Sequence, residues 1–190
     1  SQIFSPETAA DNAMKLNDEL ATIVSRHPKR FAAFASLPMQ APEIAASELE
    51  RCVTKKGMCG AMLHGMLKGE FFDLPKYWPV FAKAEKIDVP IYLHPGVPDK
   101  RVSDAYYEDY TDEFKVFGTA GWGFGIEMST AAVRMVLSGI FEKHQNLKII
   151  DLTGAGDLFA GGFLHGFINR KTVKESLIKG TEMSSKIIQL

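Results

Sequence analysis

The sequence predicts an α/β fold in which short apolar strands form a parallel sheet covered by helices. Three observations carry this. Apolar residues recur at helical spacing in several long segments, short apolar runs bounded by turn residues lie between them, and the two kinds of segment alternate along the chain.

Each element has its own signal. Ser5-Pro6-Glu7 is a helix start, with a capping hydroxyl, a proline in the first turn and an acid at the positive end of the dipole. Ala9, Ala13, Leu16, Leu20, Ile23 and Val24 then keep helical spacing until His27-Pro28. Phe31 to Leu37 is a short apolar run closed by Pro38, read as the first strand. A second helix starts near Pro42, with Ile44, Leu49, Cys52 and Val53 on one face. Gly57 and Gly60 bracket the turn into a second strand, Ala61 to Gly65. A third helix is expected over about Lys76 to Ile87, and Val89 to Gly96 is the third strand with its exit loop. Residues 97–125 read as a long connection, whose acidic, tyrosine-rich part from Asp104 to Glu113 is expected to be a solvated loop. A helix from about Ile126 to His144 precedes a fourth strand at Leu147 to Ile150. Beyond it, the glycine-rich turn Asp151 to Asp157 leads into a helix from Leu158 to about Ile168, and a last helix runs from about Thr172 to Ile188.

Composition excludes several classes. The chain has 190 residues, 46% hydrophobic and 24% charged, which is too apolar for a disordered segment. Lysine plus arginine (22) nearly equals aspartate plus glutamate (23), so no bulk charge draws it to nucleic acid or a membrane surface. The long apolar run from Val116 to Phe141 is interrupted by Glu127 and Arg134 and cannot be a membrane span. Two cysteines, Cys52 and Cys59, cannot build a disulfide framework, and a reduced, cytoplasmic setting is expected, with both thiols buried. Ser1 in place of an initiator methionine is read as a start inside a longer protein.

Residues 1–150 carry a series of segments in a recognisable order. They include His27-Pro-Lys-Arg-Phe31, Ala35-Ser-Leu-Pro38, Gly60-Ala-Met-Leu-His-Gly65 and Phe72-Asp-Leu-Pro-Lys-Tyr-Trp-Pro79. Val89-Pro-Ile-Tyr-Leu-His-Pro-Gly96 and Leu137-Ser-Gly-Ile-Phe141, followed by Asn146-Leu-Lys-Ile-Ile150, continue it. In these the region resembles the decarboxylase branch of the metal-dependent amidohydrolases, the group of aminocarboxymuconate-semialdehyde and dihydroxybenzoate decarboxylases. The resemblance implies part of a (β/α)₈ barrel with a divalent metal, zinc or manganese, at the C-terminal ends of the strands. It implies His94, in the His-Pro motif at a strand exit, as a metal ligand, and a small carboxylate as the substrate of a hydrolase or non-oxidative decarboxylase. His64 and Trp122 are the candidates to face substrate. The chain departs from that family in having no His-x-His pair, and Thr153 stands where the family places a catalytic histidine.

Residues 151–190 resemble a different family. Asp151-Leu-Thr-Gly-Ala-Gly-Asp157 followed by Leu158-Phe-Ala-Gly-Gly-Phe-Leu164 is similar to the signature of ribokinase-like (PfkB) sugar and nucleoside kinases, a strand-turn-helix motif. That resemblance implies Asp157 as the base accepting the substrate hydroxyl proton, with ATP and magnesium as cofactors. The backbone of Gly154, Ala155 and Gly156 would form the anion hole at the helix start. Two domains are therefore expected: 1–150, a partial barrel, and 151–190, a kinase-type C-terminal fragment. Three functions follow: a metal-dependent amidohydrolase, probed by stoichiometric metal; a sugar or nucleoside kinase, probed by ATP-dependent phosphorylation; and an inactive chimera showing neither. A barrel of about 250 residues cannot close from 150, so self-association through unclosed sheet edges is expected. The remaining histidines, His27, His144 and His165, are expected at helix ends or on the surface without a functional role.

Overall fold

A computed structural model describes residues 4–150, together with 165, 166, 168–172, 174–176, 178, 179 and 182. The chain divides into two compact units, Ser1–Ile150 and Asp151–Leu190. The first is the predicted α/β arrangement. Four parallel strands pair in chain order: β1 (Ala35–Ser36), β2 (Ala61–His64), β3 (Ile91–His94) and β4 (Ile149–Ile150). Helix α1 (Pro6–Arg26) precedes β1, and α2 (Pro42–Lys56), α3 (Trp78–Lys86), α4 (Lys100–Tyr106), α5 (Glu108–Thr111), α6 (Gly123–Leu137) and α7 (Ile140–Lys143) lie between the strands. None of the described helices is long and apolar enough to cross a membrane.

Local chemistry sets these boundaries. The Ser5 hydroxyl accepts from the Thr8 N–H at 3.3 Å and opens α1, while Gly57 ends α2 in the left-handed conformation at φ +70°. The first strand is shorter than its apolar run: Phe31 is exposed, and only Ala35 and Ser36 pair with β2. The helix expected over 126–144 is two helices, because Gly139 at φ +79° breaks the path between α6 and α7. The expected solvated loop at 104–113 is largely helical and buries Tyr107.

The strands bury alternate residues. Ala61, Leu63, Ile91 and Leu93 enter the core with Leu49, Val80 and Phe81 from the covering helices. Helix α2 packs against α3 and is tied to it by the 2.7 Å Lys83–Glu50 ion pair. The intervening strand residues Met62 and Tyr92 are only partly buried on the opposite face.

One side chain closes the outer edge of β1. The Asn17 amide donates from Nδ2 to the Ser36 carbonyl at 2.9 Å and accepts at Oδ1 from the Ser36 N–H at 2.9 Å. It thereby takes both backbone groups that a neighbouring strand would use. Asn17 is fully buried and also donates to Glu48 Oε1 at 2.8 Å. Burial alone would raise the Glu48 carboxyl, but hydrogen bonds from Arg51, Asn17 and Cys52 hold it below its ordinary value.

In the second unit, Thr172 and Glu175 form a reciprocal helix cap. The Glu175 N–H donates to Thr172 Oγ1 at 3.2 Å, and the Thr172 N–H donates to Glu175 Oε2 at 2.8 Å. Ser176 is fully buried, and a Cβ on Gly166 would stand 2.7 Å from its Oγ, so these two helical stretches approach at a glycine.

Candidate functional site

The C-terminal ends of β2 and β3 bring two histidines together. Parallel register sets His64 opposite His94, and their ring centroids lie 4.5 Å apart. Immediately beyond, the two exits press backbone on backbone. A Cβ on Gly65 would stand 2.7 Å from Gly96 Cα, and Gly65 also holds φ +51°. Glycine at both positions is what lets the two strand exits approach so closely just beyond the histidines.

The protonation of His94 follows from one contact. Its Nδ1 lies 2.8 Å from the Pro95 carbonyl oxygen, which can only accept. Nδ1 therefore carries a hydrogen, and in the neutral ring it is Nε2 that presents the lone pair, the form in which imidazole binds a metal. Partial desolvation, and then the facing His94, hold the His64 imidazole below its ordinary value, which favours its neutral form. Two imidazoles suit a divalent metal such as zinc or manganese. They do not complete a catalytic centre, which takes three protein ligands. Among the described residues no group of three or more His, Cys, Asp or Glu side chains could hold a metal ion.

Beside His94 a cleft runs between the strand ends and α6. Leu63, Leu93, Phe72 and Met135 supply apolar walls, and Asp73 and Glu127 are its carboxylates. Asp73 is held by Arg134, whose Nε and Nη2 each donate at 3.0 Å, tying α6 to the loop after β2. The guanidinium also lies over the Phe71 ring, 4.8 Å from its centroid. Glu127 is 6% exposed, and its Oε1 finds no hydrogen-bond partner among the described residues. Burial, and then the charge of Asp99, raise its carboxyl above the ordinary range. The signal for Glu127 was in the sequence, a carboxylate interrupting an apolar run, but periodicity alone does not say which way such a side chain points.

Trp122 is 55% exposed and does not line this cleft. His27 and His165 are exposed, in keeping with surface positions. His144 is different: it is buried, with Nδ1 2.8 Å from Glu85 Oε2 and its ring edge-on to Trp78. Cys52 is buried as expected, whereas Cys59 is exposed because it lies in the turn entering β2. Gly154, Ala155, Gly156 and Asp157 lie outside the described residues, as does the turn they were expected to form.

Comparison with known proteins matches this arrangement. Residues 1–150 match the amidohydrolase family, and residues 136–190 match the pfkB family of carbohydrate kinases. A gamma-resorcylate decarboxylase of Polaromonas sp. is 40% identical over 151 residues, covering 75% of this chain and 44% of that protein. The crystal structure of a dihydroxybenzoic acid decarboxylase from Polaromonas sp. JS666, with bound manganese and the inhibitor 2-nitroresorcinol, superposes with a TM-score of 0.73 at 34% identity. That match covers 87% of this chain and 51% of the other. A cytidine kinase of Thermococcus kodakarensis is 32% identical over 89 residues, 43% of this chain and 31% of the kinase. The chain spans about half the length of the decarboxylases it matches. With a parallel sheet, histidines at its strand ends and a family match over residues 1–150, the chain belongs to the amidohydrolase family.

Proposed function

We propose that residues 1–150 carry part of the active site of a divalent-metal-dependent, non-oxidative decarboxylase of aromatic carboxylates. The observation that carries this reading is His94: a strand-end imidazole whose Nδ1 is committed to the Pro95 carbonyl, leaving Nε2 free to bind. The relatives support it, being decarboxylases by name, one with bound manganese. His64 is the second imidazole at the site, and ligands from outside the described residues would complete the metal's coordination. The chain's own contribution is orientation: the parallel register of β2 and β3 sets the two rings side by side, and the strand exits pack closely at Gly65 and Gly96.

The reading is tested by metal analysis after dialysis against manganese or zinc. About one ion per chain, lost in His94→Ala, is the expected result. No retained metal in the unaltered chain would refute it.

A second reading rests on residues 151–190, where the pfkB-family match and the likeness to a cytidine kinase support a separate kinase-type segment. In it Asp157 is the base and the Gly154–Gly156 backbone receives phosphate. ATP-dependent phosphorylation of a nucleoside, abolished in Asp157→Asn, would establish this reading. Absence of both metal and phosphorylation would instead mark a chimera that performs neither reaction.

A further inference from the structure

We propose that residues 1–150 dock a second copy of this chain through two complementary faces, the acidic, aromatic stretch Tyr106–Phe114 of one copy meeting the basic turn Arg26–Phe31 of the other. The inference stands apart from the decarboxylase reading, since neither face contains His64 or His94.

The first face lies in the connection after β3. Tyr106, Tyr110 and Phe114 are each more than half exposed within this one short stretch. Large apolar groups gathered on a surface mark a place where another surface binds. The stretch is anchored, because Tyr107 between them is buried, its ring edge-on to Phe117 at 5.4 Å between centroids. Residues 108–114 add Glu108, Asp109, Asp112 and Glu113 and contain no lysine or arginine. All four acids are exposed, and none joins an ion pair among the described residues. The surface that fits is therefore basic and partly apolar.

This chain displays such a surface where α1 ends and the backbone turns toward β1. Arg26, Lys29 and Arg30 are exposed and likewise join no ion pair among the described residues, and residues 26–31 contain no acid. Ile23 and Phe31 beside them are about half exposed, and the Arg30 guanidinium lies 5.7 Å from the Phe31 ring centroid. Arginine, tyrosine and phenylalanine are the side chains that interfaces favour. The two faces cannot meet within one chain: one precedes the start of β1 and the other follows the end of β3, at opposite ends of parallel strands. Between two copies, the opposite charges steer the encounter and fix its register, while the apolar groups supply the burial. The contact is made by side chains and differs from strand addition, which Asn17 blocks at the β1 edge.

Sedimentation velocity of the full chain is the test. The unaltered chain is expected to self-associate, and salt should weaken it between about 0.01 M and 1 M, where the Debye length falls from about 30 Å to about 3 Å. The dissociation constant should rise about 10- to 100-fold over that range, the span of three exposed ion pairs. Reversing the acidic face with Asp109→Lys, Asp112→Lys and Glu113→Lys together weakens association by at least as much. Reversing the basic face with Arg26→Glu, Lys29→Glu and Arg30→Glu does the same. Mixed in equal amounts, the two reversed variants associate again, because each then offers the charge that the other needs. All six positions are exposed, and circular dichroism checks that both variants keep the melting transition. Should a variant fail to fold, the salt dependence of the unaltered chain still decides. An unaltered chain that stays monomeric overturns the inference and leaves the two faces to a different partner. Association that neither salt nor charge reversal alters, or that mixing does not restore, also overturns it and moves the contact to the β4 edge.

Discussion

Substituting Gly65 by alanine perturbs the contact between the two strand exits just beyond the histidines, and its cost can be worked from two separate parts. The first is conformational: φ +51° is a left-handed backbone that costs an alanine about 1–2 kcal/mol. Part of this is offset by about 0.4–1 kcal/mol, because alanine restricts the unfolded chain. The second is steric. The new Cβ would lie 2.7 Å from Gly96 Cα, inside van der Waals contact and against backbone rather than a movable side chain. Overpacking of this kind costs about 1–3 kcal/mol. Gly57→Ala isolates the first part, since Gly57 has φ +70° but a Cβ there would meet nothing within 4 Å. Gly57→Ala should therefore destabilise by about 1 kcal/mol and Gly65→Ala by about 2–4 kcal/mol. In a domain of this size that corresponds to melting-point losses of about 2–4 °C and 4–16 °C. Urea denaturation followed by circular dichroism measures both. Equal losses in the two variants would refute the claim that the β2 and β3 exits are in steric contact.

Other outcomes follow from the same contacts. Asn17→Ala strips the Ser36 N–H and C=O of their partner and should cost about 2–3 kcal/mol by urea denaturation. The opened β1 edge should also increase self-association in sedimentation velocity; an unchanged sedimentation profile would show that Asn17 does not guard that edge. Glu127→Gln should melt higher than the unaltered chain at pH 7. A carboxyl whose folded pKa is raised binds its proton more tightly when folded, so its destabilising effect sets in above the unfolded pKa and disappears as pH falls below it. The gap between the two melting curves should therefore close toward pH 4, and a constant gap would contradict burial as the cause. Burial, and then the Glu48 carboxylate, push the Cys52 thiol up to about 12, while Cys59 is exposed. A thiol-specific reagent at pH 8 should label one cysteine rapidly in the native chain and both in urea; rapid labelling of both without urea would show that Cys52 is accessible.

Much of the fold was legible because the code for a parallel α/β sheet is local. Apolar runs between amphipathic helices placed all four strands, and Ser5-Pro6 and Gly57 marked helix ends where the caps form. The errors share a cause: local pattern does not report which neighbours an element finds. The Phe31–Leu37 run has strand composition, yet only Ala35 and Ser36 meet β2. Residues 97–125 lack helical periodicity because their short helices bury few side chains, Tyr107 among them. The break at Gly139 falls inside the segment read as one helix, because apolar spacing continues on both sides of it. The site was half legible. His94 stood out at a strand exit, but its pairing with His64 depends on the register between strands thirty residues apart, which crossover helices determine. The contact of buried His144 with Glu85 depends in the same way on tertiary placement.

The most direct test of the central claim is nitrogen NMR of the His94 imidazole during a zinc titration, with His94→Ala to assign the signals. The expected result is a ring carrying a hydrogen at Nδ1 before zinc is added, and a shift of the Nε2 resonance that saturates near one equivalent. A ring protonated at Nε2, or a resonance indifferent to zinc, would contradict the assignment of His94 as a metal-binding residue.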